Sequence, residues 1–517
     1  MDAGGLTALG TVATAYWEIF LETNPLFATS LGDARFDDRL PDRSAAGIAE
    51  ARSRYAGLLA DVDALDEGAF GNEDRVTRDA LREAVAADLA DLDAVLFEWN
   101  VDPLEGVPVD LLNVPDYQRL ETPADGSHMA ARWRGMAVYT DDHLASLRRG
   151  LADGRVACRA PAERTTAIVA EILGTPTQEW PLLAPLAGLD ALPGWTTAER
   201  ERFAAGLRDA VDLEIRPAFA RLHDALMTEI LPASRPADRP GMCHVDGGLA
   251  GYRSLVRVHT SLDLDVEELH RIGLEEIARI DAEMDALAGR TLGTSSLAEA
   301  LAALRGDPAL YFTTRDEVFE KAASSLARAT EAIPGWFGRL PQAPCEVARM
   351  GPHEEVHSTI AYYRQPAADG SRPGQYYLNT SSPQTRPRYE AEALAYHESI
   401  PGHHLQIAIG QDLTHLPEFR KHLGPTAFFE GWGLYTERLA DEMGLYTGDL
   451  DRIGVLSFDA WRAARLVVDT GMHALGWPRD RAITFMHEHT ALASDNIANE
   501  VDRYIVMPGQ ALAYKTG

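Results

Sequence analysis

Apolar residues recur at spacings of three and four along most of this chain, a period that commits it to helices packed on helices. The stretches at about 6–22, 44–66, 74–99, 124–150 and 197–231 all carry it. In 265–290, Asp265 stands as an N-cap with Glu268 three residues on, the spacing of a capping box. The period returns at 388–411, 418–443, 449–475 and 479–488. One region breaks it. HSTIAYY (357–363) and QYYLNT (375–380) are rich in β-branched and aromatic residues and flank RQPAADGSRPG, which predicts a β-hairpin. The expected fold is mainly α, a large helical body with one small antiparallel β-hairpin or sheet. Pro- and Gly-rich breaks near 103–108, 175–194 and 232–248 do not read as flexible linkers. Residues 1–517 are therefore expected to form a single compact domain, with a helical N-terminal part of about 1–240 and a second part of about 241–517.

Charge narrows the partners. The 517 residues carry a formal net charge of -31, from 79 acidic against 48 basic residues. Such a field repels nucleic-acid phosphates and acidic membranes, so neither is an expected partner. Cys158, Cys243 and Cys345 are far apart and odd in number, so they make neither a disulfide framework nor a CxxC metal site. The first residues lack a basic segment and carry Glu18 and Glu22, unlike a signal peptide, and no apolar run is long enough to span a membrane. The expected location is cytoplasmic.

The chemistry is concentrated in EALAYHESIPGHHLQ, residues 392–406. His397 followed by Glu398 on a predicted helix is the first half of HExxH, in which two histidines four apart grip zinc and the glutamate activates water. Here the fourth position is Pro401, which cannot ligate, and the next candidates are His403 and His404. On an undisturbed helix His404 returns to the face of His397 about 10 Å further along, a long reach for metal bonds of about 2.1 Å. Pro401 breaks the turn and Gly402 permits backbone angles closed to other residues. A Pro-Gly bulge absorbing two residues would bring His403 to the usual place, so His403 is the favoured second ligand and His404 the alternative. The third ligand of a gluzincin is a Glu on a following helix. Glu430, in FFEGWGLYTERLADEMG, fits, with Glu437 on the same face either as partner of a ligand or as an alternative to Glu430. A His2Glu site with an open position supports metal-assisted hydrolysis.

Around these residues the chain resembles a bacterial family known as domain of unknown function 885. The resemblance runs through NPLFATSLGDARFDD (24–38), AYYRQPAADGSRPGQYYLNT (361–380), HESIPGHHLQ (397–406), FFEGWGLYTERL (428–439), ARLVVDTGMHALGW (464–477) and EVDRYIVMPGQALAYKTG (500–517). It implies a zincin-like, gluzincin-type helical body, similar to helical metallocarboxypeptidases and oligopeptidases, with the sheet beside the metal cleft and catalysis in the part after about 240.

On this reading Zn2+ sits on His397, His403 and Glu430, and Glu398 is the general base. The oxyanion needs a further donor, for which His473, Arg503, Tyr504 and Tyr514 are the candidates. Asp469 and His473 have the spacing of an ordinary helix-surface pair. Arg462 and Arg465 either face solvent or meet a substrate carboxylate. If residues 375–380 form an edge strand that holds an extended substrate, Tyr376, Tyr377 and Asn379 lie near the cleft; a plain structural hairpin explains them equally. His353, Glu354, Glu355 and His357 have strand-like spacing near a turn, and a second metal is not expected there. The expected activity is cleavage of amide bonds in short peptides. The alternatives are a zinc enzyme acting on a non-peptide amide or specialised metabolite, and a binding protein without catalysis. The expected partner is a small peptide or other small molecule, with a homodimer left open.

Overall fold

Helices carry most of the computed structural model, which describes residues 7–351, 355, 359–367, 370 and 372–517. The chain divides into two compact units, Met1–Gly251 and Tyr252–Gly517. No helix among the described residues is long and apolar enough to cross a membrane.

In the first unit the apolar period becomes the helices Ala8–Thr23, Ala45–Asp63, Asn72–Ala94 and Pro123–Ala152. Each start has a chemical reason. Thr7 and Ser44 cap the first two, and Thr122 and Asp125 cap the last reciprocally, satisfying N–H groups that have no partner inside the helix. The expected helix at 197–231 runs from Thr197 but widens into π turns at Ala210–Ile215 and Leu226–Ile230. The apolar centre gathers Trp133, Met129, Leu182, Leu207 and Phe219, all buried.

Within that unit a buried cation organises the segment 24–38. Arg132 is 0% exposed at its side chain. It donates to the carbonyls of Phe36 (2.6 Å) and Arg39 (2.8 Å), to Thr29 Oγ1 (2.8 Å) and to Gln118 Oε1 (2.7 Å). Thr29 in turn donates to Asp37 at 2.6 Å. A family-like stretch that carries no chemistry of its own thus wraps one guanidinium.

In the second unit, helix Val266–Thr291 starts where expected, but Asp265 alone caps it, accepting from the N–H groups of Glu267 and Glu268. The Glu268 side chain pairs with Arg271 instead of reaching back. This helix packs on Asp449–His473, which is buried along nearly its whole length. Asp469 and His473 are therefore not a surface pair: both are 0% exposed. Asp469 accepts from the Tyr252 hydroxyl (2.5 Å) and the Gly509 N–H (3.2 Å).

The expected hairpin forms and gains a third strand. The sheet has three strands, β1 (Cys345–Arg349), β2 (Ala361–Arg364) and β3 (Gly374–Leu378), in the order β1-β3-β2. β2 and β3 pair antiparallel, Ala361 opposite Leu378, as the hairpin requires. β1 adds in parallel on the other side of β3, Cys345 opposite Gly374. β3 is thus the central strand, paired on both sides, and its main chain has no free edge for a substrate. Tyr376 points into the core with Leu378, while Gln375 and Tyr377 face the other way.

Two outcomes follow for stability. Arg132→Met removes a buried cation and leaves its acceptors unpaired, so it should lower the unfolding free energy by about 3–5 kcal/mol in urea titrations. A loss below about 1 kcal/mol, the range of a surface substitution, would rule out this role. Burial pushes the Asp469 carboxyl up to about 7, with the Tyr252 hydroxyl and Gly509 N–H opposing. An unfolded aspartate titrates near about 3.9, so this group contributes its full stability below that pH, and the contribution is lost as pH rises through about 7. Unfolding midpoints at pH 5 and pH 8 should therefore fall further for the parent than for Asp469→Asn; equal falls would show that Asp469 ionises freely in the fold.

Candidate metal centre

The local sequence stops one helix and starts another within five residues. Helix Ala391–Glu398 ends at Glu398, and helix His403–Gln411 begins after Gly402. Pro401 has no N–H for the His397 carbonyl, so the helical ladder cannot pass through it. Gly402 is needed for space: a Cβ there would lie 1.9 Å from the His397 carbonyl oxygen and 2.4 Å from that of Tyr396. Ser399 N–H returns to the Ala395 carbonyl (2.9 Å), and His404 N–H to that of Ser399 (3.0 Å). The Trp432 indole clamps the turn from outside, donating to the Pro401 carbonyl at 2.9 Å and the Gly402 carbonyl at 3.2 Å. The expected bulge inside one helix is therefore a full break between two.

That break turns His403 back onto His397, with ring centroids 4.7 Å apart and planes at 83°. His404 goes elsewhere. Its Nδ1 lies 3.0 Å from the Tyr363 hydroxyl and its Nε2 3.0 Å from the Ala343 carbonyl, so both nitrogens are spent on the sheet and its approach. His403 is the histidine that reaches the site.

Glu430 comes from helix Thr426–Glu442. Its Oε2 is 3.6 Å from His397 Nε2 and 3.7 Å from His403 Nε2. One potential ligand atom from each of the three residues lies within 4.8 Å of the others. The Nε2–Oε2 separations are long for hydrogen bonds. They are close to the edge, about 3.4 Å, of a tetrahedron with bonds of about 2.1 Å. Two turns along the same helix, Glu437 Oε1 sits 2.8 Å from His397 Nδ1. With Nδ1–H donating to Glu437, the Nε2 lone pair is left to face Glu430 and His403. Gly433 leaves room for this ring, since a Cβ there would stand 2.7 Å from its Cε1 and 2.8 Å from its Nε2.

The carboxylates around His397 favour positive charge there. Burial works against a charged His397, yet the Glu430 and Glu437 carboxylates hold its pKa up at about 9. Burial works against a charged Glu430 as well, but His397 and His403 bring it down to about 2. Burial, aided by His397, pushes His403 down to about 4, and its buried Nδ1 has no hydrogen-bond partner among the described residues. Two imidazole nitrogens and one carboxylate oxygen, hemmed in by further carboxylates, suit a divalent cation of zinc type. Glu398, next to His397, is half-buried, and no hydrogen bond or ion pair among the described residues engages its carboxylate. Burial raises its pKa to about 7, Glu430 and Glu437 adding to the shift and His397 and Arg462 opposing it.

The other candidates separate. The Tyr514 ring lies 6.4 Å from that of His397, inclined by 23°. The Tyr504 hydroxyl donates to Glu500 (2.7 Å) and accepts from Arg465 Nε (2.9 Å) and Trp461 Nε1 (3.0 Å). Arg503 pairs with Glu500 (3.0 Å) and Gln510 (3.2 Å). His473 Nε2 lies 2.9 Å from the Tyr504 carbonyl, and its ring stacks on Tyr252. Those three are tied into the fold, and Tyr514 takes the place beside the triad. Tyr376 is a core residue at 1% exposure, Tyr377 stacks on Tyr362, and Asn379 ties the Glu355 carbonyl to Ser381. Of the 353–357 cluster, Glu355 alone among its four titratable residues is described, accepting from Arg315 and Thr380; His353, Glu354 and His357 lie outside the described residues. The sequence reading missed Trp432 and Gly433, although E-G-W-G places a small residue one turn beyond Glu430.

No curated protein matches the sequence. Solved structures that share the fold include two bacterial proteins. One is described as "the putative lipoprotein from Colwellia psychrerythraea", with a TM-score of 0.90 at 22% identity, covering 99% of this chain and 91% of that one. The other, "a putative lipoprotein of unknown function from Shewanella oneidensis", has a TM-score of 0.73 at 14% identity, covering 99% of this chain and 92% of that one. The sequence model of a bacterial family of unknown function, DUF885, matches residues 25–517, and the chain belongs to that family.

Proposed function

We propose that this protein is a zinc-dependent hydrolase of the gluzincin type, acting on amide bonds of short peptides. The observation that carries the proposal is the convergence of His397 Nε2, His403 Nε2 and Glu430 Oε2 beside the unengaged carboxylate of Glu398. His397, His403 and Glu430 would hold the ion, and Glu437 would fix the tautomer and orientation of His397. Bound zinc supplies Lewis-acid polarisation of a substrate carbonyl and acidifies water.

The chain's own groups supply the rest. Glu398, next in sequence to a candidate ligand and without a hydrogen bond among the described residues, would take a proton from the attacking water and deliver it to the leaving amine. Burial favours the protonated form it needs for delivery. Tyr514, whose ring lies 6.4 Å from that of His397, would donate its phenol hydrogen to the oxygen that gains charge. A structural zinc site usually fills all four positions with Cys or His and has no use for a neighbouring base, which favours catalysis over a purely structural ion.

Elemental analysis and peptide hydrolysis on the same samples test the proposal. Wild type should hold one zinc per chain, while His397→Ala and Glu430→Ala should lose it. Glu398→Gln should keep the zinc but lose roughly 100- to 10,000-fold in kcat. Zinc without turnover of any peptide would move the substrate to non-peptide amides, and no zinc after reconstitution would leave a helical binding protein. Gly433→Ala gives a sharper check on geometry. The added methyl displaces the His397 ring while every ligand remains, so zinc affinity should drop by about 10- to 100-fold, as when a ligand's hydrogen-bonded support is removed. Unchanged affinity would mean that His397 does not need its present orientation.

A further inference from the structure

Arg132 and Arg462 are both buried arginines, and they are treated in opposite ways. Arg132 has four hydrogen-bond acceptors at 2.6–2.8 Å. The Arg462 side chain is 6% exposed, and its Nε and Nη1 are buried without a hydrogen-bond partner among the described residues. Its Nη2 comes to 3.9 Å from Glu437, beyond hydrogen-bond length, and that carboxylate already serves His397. What holds Arg462 is aromatic: its guanidinium carbon lies 4.4 Å from the ring centres of both Phe458 and Trp461.

Two more guanidinium groups stand close by. Arg465 and Arg503 share one carboxylate, Glu500, at 3.2 and 3.0 Å, and Arg465 Nη1 is buried without a hydrogen-bond partner among the described residues. The group adjoins the candidate metal centre. Tyr514 is the link, its ring 4.2 Å from the Arg465 guanidinium, 5.8 Å from that of Arg462 and 6.4 Å from the ring of His397. The charge of Arg462 reaches Glu398 and His403, and that of Arg465 reaches Glu430.

Resting on the hydrolase reading, we infer that Arg462, with Arg465 behind it, receives the C-terminal carboxylate of the substrate, which makes this site an exopeptidase that works from the peptide's C-terminus. A peptide advances about 3.5 Å per residue, so a terminal carboxylate a residue or two beyond a carbonyl at the triad is within reach of Arg462. The planar fork pairs with a carboxylate through two parallel N–H donors, and the aromatic flanks hold its orientation without supplying an acceptor that would compete.

The test separates this inference from the reading beneath it. In the Glu398→Gln protein, calorimetry compares N-acetylated dipeptides with their C-terminal amides, with and without one equivalent of Zn2+, zinc content being measured on each sample. The acids should bind roughly 10- to 100-fold more tightly than the amides in both states. Arg462→Met in this background should shrink the preference to within about threefold, and Arg462→Lys, which keeps charge but not the fork, should retain part of it. A dipeptide amide carrying its carboxylate on a glutamate side chain should bind like the other amides; tight binding would overturn the assignment to the terminal carboxylate. Equal binding of acid and amide, binding of neither, or a preference that survives both Arg462 substitutions would overturn the carboxylate site whether or not zinc is present. Failure to take up zinc with the acid preference intact would instead sink the hydrolase reading.

Discussion

The passage of Gly402 against the carbonyl oxygens of Tyr396 and His397 is the constraint from which the rest of the site follows. It ends one helix and starts the next in so short a space that His403 folds back over His397. Nothing larger than glycine could stand there, and a residue with an N–H in place of Pro401 would let the helix run on. The Trp432 indole secures the turn by taking up the Pro401 and Gly402 carbonyls, and it comes from the helix that carries Glu430 and Glu437. One helix thus supplies a candidate ligand, the residue that orients another ligand, and the clamp on the turn between the histidines.

His404 shows how the same break serves the sheet. Turned away from the site, it meets the Tyr363 hydroxyl on β2 and the Ala343 carbonyl before β1. The sheet is thereby fastened to the start of the second short helix, and burial keeps the His404 imidazole neutral, with its pKa pushed down to about 4. β3, saturated on both sides, acts here as a wall: Tyr376 fills the core below and is close enough to feel the charge of Glu398.

Long-range packing decided what the sequence could show. The helices with strong apolar period, and the cap at Asp265, were legible because both depend on neighbours in sequence. The meeting of His397, His403 and Glu430 was legible because the candidate ligands were few and metal bonds are short. β1 was not: Cys345–Arg349 alternates poorly, and its parallel pairing depends on contact with a strand 29 residues away in register. The roles of His473, Tyr504 and Arg503 were also out of reach. A polar residue in a C-terminal helix pattern looks the same whether it faces a cleft or closes a buried network with Glu500 and Tyr252, and only the packed structure separates the two.

Some buried charges in this protein are fully supplied with partners, and others are not. Glu392, 0% exposed, is met by Lys321 (2.7 Å), Arg328 (2.5 Å), and the N–H (3.0 Å) and hydroxyl (2.9 Å) of Thr447. A buried donor or acceptor without a partner costs about 1–3 kcal/mol, and more when charged. Among the described residues such atoms occur at several places, and near the triad they are His403 Nδ1, Glu437 Oε2, Arg462 Nε and Nη1, Arg465 Nη1 and Arg503 Nε. They are of both signs, and Glu398, whose carboxylate no described residue engages, is next in sequence to His397. A core built only to be stable would have paired these groups with one another or replaced them with apolar side chains. On the proposed reading a cation would answer the nitrogens and carboxylates of the triad, and a substrate carboxylate would answer the unpaired donors of Arg462.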